Sequence, residues 1–166
     1  MVVFLFLLTV LYLSINTYTD LKEFSIYCIV NYIYFSICTL CITIYGLVNP
    51  NITFRHLVKC LFIFAIYSLF IFIIFKIFNV GSGDTEMFIS LNPVICFITG
   101  YDISKIIGGL YLLLFISLTI AFIYQFIKKI INRLRNVKNT TKIAFAPYIS
   151  ISTLIIYGLF LFNFPY

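Results

Sequence analysis

Ionisable side chains are scarce in this 166-residue chain: five residues are acidic, one is histidine, and charged residues make up 10% of the total. Soluble globular chains carry about 25% charged and about 45–50% apolar residues, whereas here 63% are hydrophobic and 20% aromatic. A soluble domain is thereby excluded. The lone histidine, His56, stands beside Arg55 in an expected loop with no further ligand candidates around it. Neither a zinc centre nor Ser–His nucleophilic chemistry has a foundation there. No polar linker, low-complexity stretch or internal repeat divides the sequence, so residues 1–166 are expected to form one membrane-embedded domain with no soluble domain attached.

Cysteine adds little chemistry. Cys28, Cys38, Cys41, Cys60 and Cys96 all fall inside apolar stretches. Cys38-Thr39-Leu40-Cys41 has the spacing of a metal or redox pair. It lies mid-span, however, with no second pair or nearby histidine to complete four ligands. These cysteines are read as small packing residues, and no metal is expected.

What the chain does have is apolar blocks of bilayer length, roughly 20 residues per helix. Six segments emerge, at about Val2–Tyr18, Ile26–Val48, Leu57–Phe78, Thr85–Ile98, Ile103–Ile127 and Ile143–Phe164. The runs are continuous, where barrel strands would alternate apolar and polar residues, so helices are the spanning form. The expected fold class is an all-α integral membrane protein, a polytopic bundle of about six transmembrane helices. The fourth is short or irregular, because it contains Asn92-Pro93 and proline kinks a helix or frees a backbone group. The first segment follows neither the basic leader nor the small-residue cleavage site of a signal peptide, and it is expected to be retained as a helix.

The net charge of +6 is concentrated: six of the eleven Lys and Arg lie between Lys128 and Lys142. Such a block reports membrane orientation, and no basic groove interleaved with exposed aromatics argues for a nucleic-acid partner. Within it, Ile130, Leu134 and Val137 recur at helical spacing opposite a basic face. That pattern fits an interfacial amphipathic helix on anionic lipid or simply a topology-setting loop. If the fourth segment spans, Lys22, Lys76 and the block of six share one side, against Arg55, Lys59 and Lys105. If it does not, the split is equally lopsided and the protein inverts. In both cases Asp20 and Asp84 share a face, because two spans lie between them.

Asp20 ends the first apolar run, and Asp84 closes Gly81-Ser82-Gly83-Asp84 after the third. A carboxylate at the membrane centre costs roughly 2.5–3.5 kcal/mol on insertion scales. Two such groups on one face suggest an acid–base pair. Peptide hydrolysis by two aspartates needs one ionised carboxylate as base and one protonated partner to polarise the carbonyl. Like-charge proximity and partial desolvation favour that division. Gly81 and Gly83 can take positive φ and lack Cβ atoms, so a helix break and a close backbone approach are expected beside Asp84.

These residues carry a resemblance. Asp20-Leu21-Lys22 after a first helix and Gly81-Ser82-Gly83-Asp84 after a third resemble the type IV prepilin peptidase and preflagellin peptidase family of membrane aspartyl proteases. Phe145-Ala146-Pro147-Tyr148 at the start of the last segment is similar to the family's Phe-x-Pro-Phe. The likeness covers nearly the whole chain in order and spacing, in the small form without a methyltransferase domain. It implies a peptidase of a prokaryotic plasma membrane with Asp20 and Asp84 catalytic, Gly81 and Gly83 shaping the second element, and the active site facing the cytoplasm. It implies as substrates prepilin-like or preflagellin-like precursors whose basic leader is removed, and it requires no cofactor. Two departures bear on substrate preference: the family's Ile-Pro-Asn is missing after the first element, and Glu86 stands where the family favours lysine.

Lys22, Glu23 and Glu86 are candidate substrate contacts, with Glu23 and Glu86 expected to be solvated beside the site. Asp102 is expected to cap the following helix ahead of Ser104 and Lys105. Two other readings stand beside the peptidase: a small polytopic carrier or scaffold whose aspartates bind a cation or cap helices, and a catalytically inactive homologue.

Overall fold

The computed structural model of the chain describes residues 1–50, 52–78, 80–134 and 144–161. Those residues form helices joined by short turns, with no strand among them. Four helices are long and apolar enough to cross a membrane: α1 (Val2–Glu23), α2 (Cys28–Val48), α3 (Phe54–Ile77) and α6 (Ile103–Leu134). Two short helices, α4 (Ser82–Ser90) and α5 (Asn92–Ile98), come between α3 and α6, and α7 (Ala146–Leu161) follows α6. Four helices rather than six therefore have the length of a crossing. The fourth expected segment is a broken pair, and α7 has 16 residues.

Each long helix turns one stripe inward. The buried residues of α3 are Leu57, Cys60, Phe64, Tyr67, Ile71 and Phe75, the three- and four-residue spacing of a single helical face. Its opposite face exposes Phe62, Leu69 and Phe72, as α1 exposes Leu7 and Leu11 and α6 exposes Phe115 and Phe122. Water would select charged residues at such positions, and lipid selects these.

The interior is filled by α4 and α5. Every residue from Leu91 to Thr99 is buried, and Phe88 meets the Phe75 ring edge-on at 5.1 Å. The pair breaks at Leu91 because Pro93 has no N–H to donate and its ring would strike the carbonyl four residues earlier. Leu91 N–H reaches the Phe88 carbonyl, at 3.4 Å, and the Ile89 carbonyl, and the ladder restarts with Ile95 N–H on Leu91. After α5 the chain turns through left-handed Gly100 (φ 65) and Tyr101 (φ 62). The Tyr101 hydroxyl donates to the Ile42 carbonyl at 2.7 Å, which ties that turn to α2.

Asp102 accepts from the N–H groups of Ser104 and Lys105 at 2.9 and 3.3 Å, the cap that its position suggested. His56 lies in the first turn of α3 rather than in a loop, with Nδ1 at 2.6 Å from the Thr53 hydroxyl. Helix α6 runs past Ile127 without interruption to Leu134. The start of the basic block is thus a continuation of the span rather than a separate interfacial helix, and Val137 lies outside the described residues.

Candidate active site

Asp20 sits in the last turn of α1, which ends at Phe24 in the left-handed conformation (φ 50) with the Phe24 N–H on the Asp20 carbonyl at 3.0 Å. Although near a helix end, its side chain is 4% exposed. Helix α7 is what covers it. The Ala146 N–H donates to Asp20 Oδ2 at 2.8 Å, and the Phe145 N–H also donates to this carboxylate. The first turn of any helix has N–H groups with no partner inside the helix. Here a carboxylate from α1 supplies the acceptor, at the end of the α7 dipole that favours negative charge. Phe145-Ala146-Pro147-Tyr148 thus acquires a local role: it opens α7 and holds Asp20.

Asp84 lies in the first turn of α4, just ahead of the apolar stretch 85–98. The helix begins at Ser82, so the glycine segment is not a left-handed break: Gly81 has φ −58 and ψ 145, and Gly83 is helical. Neither glycine takes the expected positive φ, and close approach is what they provide. A Cβ on Gly83 would stand 2.8 Å from Ile26 Cβ and 3.3 Å from the Ile26 carbonyl oxygen. The α1–α2 turn therefore packs directly on the start of α4. A Cβ on Gly81 would lie 3.2 Å from Asp84 Oδ2, because the carboxyl folds back over that glycine.

Asp84 is half-buried, and its Oδ1 is buried with no hydrogen-bond partner. Burial, and after it the charge of Asp20, push the Asp84 carboxyl up from the usual carboxylate range to about 7. The charge of Asp20, distant in sequence, is thus felt at Asp84. One accepts backbone amides and the other carries an unpartnered oxygen, an asymmetry that acid–base chemistry can use.

The other candidates divide. Lys22 is exposed, with its ammonium 5.6 Å above the Tyr18 ring. Glu23 is exposed and accepts from the Tyr27 hydroxyl at 2.8 Å. Glu86 departs from expectation: it is half-buried rather than solvated, its carboxylate takes a hydrogen bond from the Cys28 thiol, and Oε2 is buried without a partner. Packing against α2 removes it from water.

Sequence reasoning missed the polar residues behind the aspartates. Asn31 Oδ1 accepts from the Tyr12 hydroxyl at 2.7 Å and from Asn16 Nδ2 at 3.1 Å, while Asn31 Nδ2 points to the Gly83 carbonyl at 3.5 Å. Tyr12 also bonds to Ser90, and its ring stacks on Tyr34 at 3.8 Å. This network joins α1, α2 and α4 directly behind Asp84. One signal was available: Asn16 precedes Asp20 by one helical turn, and polar residues inside spans face the bundle interior. No protein-family model, no curated protein and no solved structure matches this chain.

Proposed function

We propose that this protein is a membrane-embedded aspartyl endopeptidase that removes the basic leader from prepilin-like or preflagellin-like precursors at the cytoplasmic face. One observation carries the proposal: Asp84 is half-buried with Oδ1 unpartnered, and burial, then the charge of Asp20, push its carboxyl up to about 7. In this reading the bundle crosses the bilayer six times. The apolar stretch 85–98 of α4–α5 makes the fourth crossing, and at about 1.5 Å per residue it reaches roughly 21 Å against about 30 Å of hydrocarbon. Helix α7 makes the sixth. The side bearing Lys22, Lys76 and the basic block after Ile127 is then cytoplasmic.

Hydrolysis follows from the asymmetry of the pair. Asp84 keeps its proton near neutrality and lends it to the scissile carbonyl oxygen. Asp20 takes a proton from water, whose oxygen bonds to the carbonyl carbon. Collapse breaks the C–N bond, the nitrogen gains a proton, and a carboxyl and an amine remain. Burial of both groups strengthens these interactions relative to water. Lys22, Glu23 and Glu86 border the pair in sequence and are the proposed contacts to the precursor.

A non-proteolytic carrier or scaffold is the second reading, favoured by the hydrogen bond from Ala146 to Asp20, which a purely structural cap would also make. Co-expression with candidate precursors separates the two. The peptidase gives a leader-sized mobility shift that disappears in Asp20→Asn and Asp84→Asn while the variants remain inserted in the membrane. Cleavage that persists in both variants eliminates the peptidase. Inserted wild-type protein that leaves every candidate precursor intact favours the carrier or an inactive homologue.

A further inference from the structure

At the end of the bundle away from the aspartates, α2, α3 and α5 leave a cleft between them. Its volume is about 140 Å³, and it lies roughly 30 Å along α3 from the turn that leads to Asp84. Buried Cys60, Phe64 and Cys96 form part of its wall, while Leu47, Phe54, Val58 and Leu61 line it and are exposed. The wall presents almost no polar surface. No charged side chain lines it, and the Tyr101 hydroxyl already donates to the Ile42 carbonyl. An apolar cavity of about 150 Å³ stays dry and takes benzene, so this cleft suits roughly six carbons of hydrocarbon. Its exposed residues belong to the surface that lipid covers, and the bilayer is the source of such hydrocarbon.

Charge stands beside the opening. Arg55 precedes Val58 by three residues and Lys59 by four, spacings that make them neighbours on the helix surface. Both cations are exposed. Of the five acidic residues, Asp102 alone is at this end, and its Oδ1 accepts from the Ser104 and Lys105 N–H groups. Lys105 offsets its charge, which leaves Arg55 and Lys59 in excess. Their position at the start of α3 lets the apolar stems carry both heads to the headgroup level.

We propose that this cleft binds an anionic phospholipid, with one acyl chain between α2, α3 and α5 and the phosphate on Arg55 and Lys59. The inference stands apart from the peptidase reading. An acyl chain there supplies contacts that the cleft otherwise denies its walls, and it braces the bundle at the end away from the aspartates.

Native mass spectrometry of the full chain in detergent, with phosphatidylglycerol or phosphatidylcholine of identical acyl chains, tests this. One phosphatidylglycerol should stay bound, roughly 30-fold more tightly than phosphatidylcholine, as expected for two cations near a headgroup. Replacing both cations, Arg55→Gln with Lys59→Gln, should bring the two lipids close to equality. Thr43 lines the cleft from α2. Thr43→Phe should therefore fill it and release the lipid with both cations in place, while unfolding no lower than wild type in lipid-free detergent. Equal retention of both lipids by wild type means annular lipid only and overturns the site. A phosphatidylglycerol preference that survives Thr43→Phe takes the chain out of the cleft and overturns it too. A dimer mass in place of the lipid adduct, lost in Thr43→Phe, gives the cleft to a second copy of the chain instead.

Discussion

Asp84→Asn tests the site through stability as well as activity. An aspartate in an unfolded chain titrates near 3.9, whereas burial and then the charge of Asp20 bring Asp84 to about 7. A difference of about 3 units corresponds to about 4 kcal/mol. Because the folded value is the higher one, the folded state keeps the proton through the interval in which the unfolded chain has lost it. The contribution to stability is complete below pH ~4, declines as pH rises, and is gone above pH ~7. Asparagine has nearly the same shape and no such slope. The variant is therefore expected to be more stable than wild type at pH ~8, by up to about 4 kcal/mol, with the advantage shrinking toward pH ~4. It is also expected to have lost cleavage. Thermal unfolding of detergent-solubilised protein at both pH values, beside a cleavage assay, measures this. A variant with the wild-type pH slope, or one less stable than wild type at the higher pH, would refute the assignment of Asp84 as a desolvated carboxyl held against a second charge.

Asp20→Asn keeps an oxygen for the Ala146 N–H and should retain α7, whereas Asp20→Ala should loosen the start of α7 by about 0.5–2 kcal/mol. Both should abolish cleavage, and hydrogen exchange at Ala146–Tyr148 separates them. Gly83→Ala should cost about 1–3 kcal/mol, because its Cβ would sit 2.8 Å from Ile26 Cβ. Adding Ile26→Ala, which keeps that Cβ and the carbonyl oxygen 3.3 Å away, should recover little of that loss in the same unfolding assay, whereas Ile26→Gly should relieve the closest contact. Asn31→Ala leaves the Asn16 amide and Tyr12 hydroxyl without an acceptor they now share, and should cost about 1–3 kcal/mol. For the wild type, cleavage should fall as pH rises through about 7, where Asp84 loses the proton it is proposed to lend. A rate that climbs through that range would assign the acid role elsewhere.

The sequence made the long helices legible because lipid demands length and apolarity, and α1, α2, α3 and α6 match their segments to within a few residues at most ends. The ends slipped where polarity was taken for a helix stop. Thr19-Asp20-Leu21-Lys22-Glu23 continues α1, Arg55-His56 belongs to α3, and Lys128-Lys129 belongs to α6. A helix satisfies its own backbone whatever its side chains are, so a charge ends an apolar run without ending the helix. Gly81-Ser82-Gly83 looked like a break for a related reason. Glycine is read from composition as a turn residue, whereas here the missing Cβ on Gly83 makes room for Ile26, a contact between elements that one sequence does not display. Asn16 and Asn31 were illegible in the same way. Each is visibly polar inside an apolar helix, but their meeting with Tyr12 and Gly83 depends on how α1, α2 and α4 pack.

The bond from Ala146 to Asp20 gives the cap and the proposed acid–base pair a common cause. A carboxylate offers about four lone-pair positions, so accepting the Phe145 and Ala146 amides leaves capacity for the proton of a water molecule. The same bonds fix the carboxylate in direction and bury it under α7, and they keep it close enough to act on Asp84. Without α7 docked, Asp20 would be a solvated residue at a helix end. The end of α1, the start of α4 and the start of α7 must therefore converge before the pair exists. Three sequence elements that look like separate motifs, around Asp20, Gly81–Asp84 and Phe145–Tyr148, are parts of one electrostatic unit. A substitution at Phe145 or Pro147 that shifts the start of α7 should silence the site without touching either aspartate.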